Sequence, residues 1–210
     1  LALPPLDLLL ASFIVLILSL SVHEAAHAWS ADRLGDPTAR MYGRLTVNPV
    51  AHVDPIGTIL FPLIGMLSPG VPLLGWAKPV PVNMRNLRHP RRDFALVAFA
   101  GPLSNIVMAV IAAVILSVLP DEMAFGPMTP RGLLARFVVL NVFLAVFNMI
   151  PVPPLDGGNV LSGFVPEPVA RLIDQIRPWG FLVLYALLFT GVLDTFVTPV
   201  ASWILERLPL

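Results

Sequence analysis

His23, Glu24 and His27 stand in the pentapeptide HEAAH, two imidazoles four residues apart with a carboxylate beside the first. On an α-helix such imidazoles lie only about 40° apart, so both project from one face and can grip a single zinc ion. Glu24 then stands where a carboxylate can take a proton from metal-activated water. The chemistry implied is metal-assisted hydrolysis of a peptide bond. The bland alternative is a polar patch that glues helices together. The setting argues against it: the run from Leu8 to Leu20 precedes the pentapeptide, and Ala28 and Trp29 follow it. A charge at the centre of a bilayer costs about 2.5–3.5 kcal/mol, so three ionisable groups there imply a use.

A catalytic zinc takes three protein ligands and keeps one position open. The chain has no cysteine, which leaves nitrogen and oxygen donors, and the candidates for a third ligand are His52, Asp54, His89 and Asp156. Asp156 lies in NMIPVPPLDGG, Asn148 to Gly158, directly after an apolar run. The prolines end a helix and the glycines permit close approach. Irregular backbone at membrane depth is tolerated where it is packed in protein or lines a watery cavity. A carboxylate there suits a metal ligand and equally a polar turn at a membrane exit.

The elements that must carry these residues follow from composition. Of 210 residues, 57% are hydrophobic and 12% charged, against roughly 25% charged in an average soluble domain. This is the profile of an all-α polytopic membrane protein, read as one membrane-embedded unit over 1–210. Zero formal net charge, with the charges in connecting segments, excludes a nucleic-acid surface. A bilayer core of about 30 Å needs about 20 apolar residues. Spans are expected at about 6–30, 94–119, 133–150 and 179–205, the last interrupted by Asp194 and Pro199. The segment 55–69, broken by Gly57, Pro62 and Gly65, reads as re-entrant. The first run lacks a basic n-region and carries HEAAH, so it reads as a retained span and not as a signal peptide.

Arg33, Arg40, Arg44, Lys78, Arg85, Arg88, Arg91 and Arg92 fall between the first two spans, and Arg171 and Arg177 lie in a later connection. The positive-inside rule puts both segments on the cytoplasmic side, with the site toward the cytoplasm, in the cell (inner) membrane. Thr38 to Asn48 alternates around Gly43, which suggests a short membrane-associated β-hairpin. Trp76 to Asn83 is extended by its prolines. Asn105 and Asn141 read as helix-packing residues.

HEAAH, NPVAHVD at Asn48 to Asp54, AGPLSN at Ala100 to Asn105 and NMIPVPPLDGG together resemble the site-2 protease family of intramembrane zinc metalloproteases, in the family's order and over nearly the whole chain. The similarity is to the minimal branch without PDZ or CBS domains. It implies one zinc bound by His23, His27 and Asp156, with Glu24 as general base. It also implies Asn148 and His52 near the site, expected to donate hydrogen bonds to the scissile carbonyl or its oxyanion. The implied partners are a transmembrane protein substrate and the lipid bilayer. The hairpin, or the strand near Val80 to Asn83, would hold an unwound substrate by strand addition. A non-proteolytic membrane metal-binding or scaffold protein is the competing reading. A transporter is a weaker one, because paired broken helices in matching halves are missing.

Overall fold

The computed structural model describes residues 4–68, 75–120 and 126–210. These residues are helical throughout their regular structure. Helix α1 (Leu6–Arg33) has 28 residues, about 42 Å of rise, enough to cross a bilayer core with a turn or two to spare. A short helix α2 (Thr38–Met41) follows, then a π-helical turn at Pro55–Leu60 that runs into α3 (Phe61–Leu67). Helices α4 (Pro90–Val118) and α5 (Pro130–Asn148) come next, then α6 (Asp156–Phe164), α7 (Glu167–Ile176), α8 (Gly180–Phe189) and α9 (Val192–Leu205).

Helices α1, α4 and α5 pack on one another, and α6 lies against α4. Small side chains make the close approach possible: Ala11, Ala28 and Ala31 on α1, Ala95, Ala98, Ala109, Ala112 and Ala113 on α4, and Ala145 on α5 are all buried. Outward, α1 presents Leu6, Leu10, Ile14 and Leu18, all exposed and each four residues from the next. A stripe of leucine and isoleucine facing out is what lipid requires. Helix α9 packs on α5, with Ala201 in one core cluster with Ala109, Ala113, Val138 and Val142.

Four helical stretches are long and apolar enough to cross a membrane: Leu6–Arg33, Pro90–Val118, Pro130–Asn148 and Glu167–Phe189. The fourth departs from the expected 179–205. The chain breaks at Gly191, whose φ of 70° is a left-handed conformation suited to glycine, while Asp194 and Pro199 lie inside α9. Pro55–Leu67 is a shorter apolar helix, with a rise of about 20 Å against the roughly 30 Å of a bilayer core. Pro69, at the end of the expected re-entrant segment, lies outside the described residues.

The expected β-hairpin at Thr38 to Asn48 is not formed, and no strand occurs among the described residues. Its first half is drawn into helix because Asp36 accepts from the Thr38 N–H at 3.1 Å, a local turn that competes with extended backbone. Gly43, at φ 67°, then ends that turn. Arg44 points inward to the carbonyls of Lys78 and Pro79. Arg91 also turns toward protein, donating to the carbonyls of Ser162 and Val165 and pairing with Glu167.

Candidate active site

The α-helical spacing sets both imidazoles of α1 against α4, where the opposing stripe is Val97, Gly101 and Asn105, each four residues from the next. His27 Nδ1 lies 2.7 Å from the Val97 carbonyl oxygen. A carbonyl only accepts, so Nδ1 carries the proton and Nε2 the lone pair. His23 is fixed by a longer relay. Asn141 donates through Nδ2 to the Phe137 carbonyl and to Ser19 Oγ, both at 2.8 Å. Its Oδ1 therefore accepts from Asn105 Nδ2 at 2.7 Å, and Asn105 Oδ1 accepts from His23 Nδ1–H at 2.6 Å. The Phe137 carbonyl thus fixes the direction of every bond up to His23. Asn105 and Asn141, read from sequence as packing residues, orient a histidine. The signal available was Asn105 standing one turn after Gly101 in AGPLSN.

Gly101 supplies the space. A Cβ there would lie 2.5 Å from His23 Nε2 and from His27 Nε2.

Asp156 arrives from the other end of the chain. The prolines after Asn148 end α5, and α6 starts at Asp156 itself, whose carboxylate suits the positive end of the helix. Gly157 lets that first turn press on the end of α5, since a Cβ would lie 2.3 Å from the Met149 carbonyl oxygen. Asp156 Oδ2 then sits 3.1 Å from His23 Nε2 and 3.4 Å from His27 Nε2, and the two Nε2 atoms are 3.0 Å apart. With both ring protons turned outward, three electron-rich atoms converge with no proton between them. A tetrahedral zinc with ligands at about 2.0–2.1 Å has ligand-to-ligand edges of about 3.3 Å. The triangle and the donor set fit zinc.

Glu24 borders the same cavity, a space of about 1490 Å³ that reaches from His27 to Ser12 along α1. One carboxylate oxygen, Oε2, accepts from the Val80 N–H at 3.1 Å. Val80 belongs to the stretch 75–83, which has no regular secondary structure and lines one side of the cavity. Its alternate backbone groups are tied to the scaffold. Trp76 N–H donates to the Gly57 carbonyl and Lys78 N–H to the His52 carbonyl, while Asn83 N–H donates to Asp36 Oδ2. Asp36 is buried and also accepts from Asn86 Nδ2 and Thr38 Oγ1. Burial acts to raise its carboxyl pKa, and the hydrogen bonds from Thr38, Asn86 and Asn83 outweigh this and hold it below the usual carboxylate value.

The remaining sequence candidates fall in different places. Asn148 borders the cavity, with Nδ2 donating to the Leu144 carbonyl at 2.9 Å. His52 is 1% exposed and is not part of the cavity wall. Its Nε2–H donates to the Thr46 carbonyl at 2.7 Å and its Nδ1 accepts from Arg44 at 3.3 Å. Asp54 caps the π-helical turn through the N–H groups of Ile56 and Gly57. His89 is exposed beside Asp93.

Comparison with known proteins adds the decisive observation. Over 212 residues the chain is 38% identical to a Bacillus subtilis (strain 168) protein named "Putative zinc metalloprotease YwhC", covering 96% of this chain and 86% of that one. The chain belongs to peptidase family M50, the site-2 protease family. The profile of this M50 family matches residues 121–191, the stretch that carries Asn148 and Asp156. Proteins named Rip2 from Mycolicibacterium smegmatis (strain ATCC 700084 / mc(2)155) and Mycobacterium tuberculosis (strain ATCC 25618 / H37Rv) are 28% and 27% identical. Each alignment covers 90% of this chain and 71% of theirs. No solved structure matches. Within this M50 protein, zinc is the cofactor that His23, His27 and Asp156 can hold.

Proposed function

We propose that this protein is an intramembrane zinc metalloendopeptidase that cleaves peptide bonds in or near transmembrane segments of other membrane proteins. The observation that carries this reading is the Nε2, Nε2, Oδ2 triangle beside Glu24, with both histidines and Glu24 on a helix long enough to span a membrane and the whole group on the wall of a cavity large enough for a peptide segment. Zinc, when bound, supplies a Lewis acid that polarises the scissile carbonyl and acidifies water at neutral pH.

The chain's own residues do the rest. Glu24 uses Oε2 to hold Val80 N–H and keeps Oε1 for the proton of the attacking water, which it then delivers to the leaving amine. Asn148 borders the cavity, and its amide, released from the Leu144 carbonyl, donates to the oxyanion. His52, with both ring nitrogens engaged, acts at one remove: its carbonyl holds Lys78 and its ring anchors Arg44, so it positions the segment that steadies Glu24. Ala77 lines the cavity between Trp76 and Lys78, whose N–H groups are held by the scaffold. An unwound substrate pairs there as an added strand. The cations between Arg33 and Arg92 gather at the end of α1 nearer His27, which supports a cytoplasm-facing site in the cell membrane.

The test uses purified protein in bilayers with single-span model substrates. Cleavage that requires zinc and vanishes in Glu24→Gln, while zinc content is unchanged, is the expected result. Zinc binding without cleavage across a broad substrate panel would overturn the proposal in favour of a non-proteolytic metal-binding protein.

A further inference from the structure

The cavity has a second charged end. Arg136 lies in α5, inside a span, and borders the cavity together with Ser12 and Val15 of α1 and Asp194 and Val197 of α9. Its Nε is buried and has no hydrogen-bond partner. It makes no ion pair with Asp194 or with any other described carboxylate. A guanidinium carries five N–H donors and cannot shed its charge, and an unpaired cation within a span marks a function by default. Arg131, nearer the helix start, is already occupied by the carbonyls of Leu119 and Pro120. Arg136 instead is half-buried and borders the cavity.

Its distance from the metal-binding triangle is set by helix geometry. Arg136 and Asn148 border the same cavity about 18 Å apart along α5, and Ser12 lies about 16 Å from His23 along α1. A segment unwound at the triangle and helical beyond it passes Arg136 after about three turns. We propose that Arg136 is a specificity residue that selects transmembrane substrates carrying one acidic side chain about three helical turns from the cleaved bond. An acidic group in a lipid-facing helix is costly to hold, and the guanidinium offers it a bidentate, charge-assisted partner inside the enzyme. This inference rests on the proteolytic reading above.

The experiment uses the full chain in vesicles of zwitterionic lipid. Otherwise identical Leu/Ala-rich single-span substrates carry one Glu stepped through the segment, and a parallel panel carries Gln. With the cut position mapped, kcat/KM for Glu over Gln is expected to peak at about tenfold or more near three turns from the cut. Arg136→Gln should flatten that peak, and Arg136→Glu with Lys in the substrate should restore it. A wild-type enzyme that cleaves both panels equally, still needing zinc and Glu24, overturns this inference alone. So does an Arg136→Gln loss that is equal for Glu and Gln substrates, or that follows the anionic lipid content of the vesicle, since Arg136 would then serve lipid or packing. Cleavage of no substrate overturns both readings. The substrate panel on wild-type protein keeps the test sound should Arg136→Gln fold poorly.

Discussion

His23 Nδ1 donates to Asn105 Oδ1 at 2.6 Å across the interface of α1 and α4. The bond fixes which nitrogen of His23 faces the metal position. Partners of this kind typically change metal affinity by about 10–100-fold when removed. Asn105→Ala should therefore weaken zinc binding by about that factor, measured by competition with a chelator. Asn105→Asp keeps the acceptor for His23 but loses the donor to Asn141 Oδ1, so its loss should fall between that of Asn105→Ala and none. Equal losses in both variants would mean that the amide serves only packing.

Gly101→Ala tests the space in front of the imidazoles. In an ordinary helix interior this change gains about 1 kcal/mol. Here the new Cβ would lie 2.5 Å from both Nε2 atoms, so zinc content should fall to background even if thermal stability holds. Zinc analysis beside a detergent melting curve separates the two effects.

Arg44 ties the Lys78 and Pro79 carbonyls and thereby steadies the segment whose Val80 N–H holds Glu24. Arg44→Ala should lower kcat by about 10–100-fold through misplacement of reacting groups, with zinc content unchanged. His52→Ala should fall in the same direction. Loss of zinc in either variant would show that the segment supports the ligands and not Glu24.

Asp36 contributes stability that depends on pH. Its folded pKa is lowered, so the contribution is complete above the unfolded value of about 3.9 and is lost as pH falls through the lower folded value. Asp36→Asn should lower the melting temperature at pH 7, and the gap from wild type should narrow in strongly acidic buffer. A gap independent of pH would remove the carboxylate from the account.

Local periodicity yields where a competing turn and a tertiary partner both take the backbone elsewhere. Thr38 to Asn48 alternates as a hairpin would, yet Asp36 captures the Thr38 N–H and Arg44 is drawn to carbonyls of 78 and 79. Extended backbone needs a ladder partner, and this segment's polar groups are engaged elsewhere. The run 179–205 is divided between two helices. Gly191 breaks the helix by adopting a left-handed φ, whereas Pro199 is accommodated within α9.

Sequence alone determined that His23 and His27 share a helix face, because the α-helical period requires it of residues four apart. It also determined membrane residence, because apolar runs of this length have nowhere else to go. The pairing of Asp156 with those histidines, across 133 residues, depends on α6 packing on α4 and on the close approach allowed by Gly157. The roles of Gly101, Asn105 and Asn141, the tether from Val80 to Glu24 and the isolation of Arg136 were decided by tertiary structure alone. Each depends on which distant segments meet, and a local spacing such as that of Gly101 and Asn105 does not name the partner.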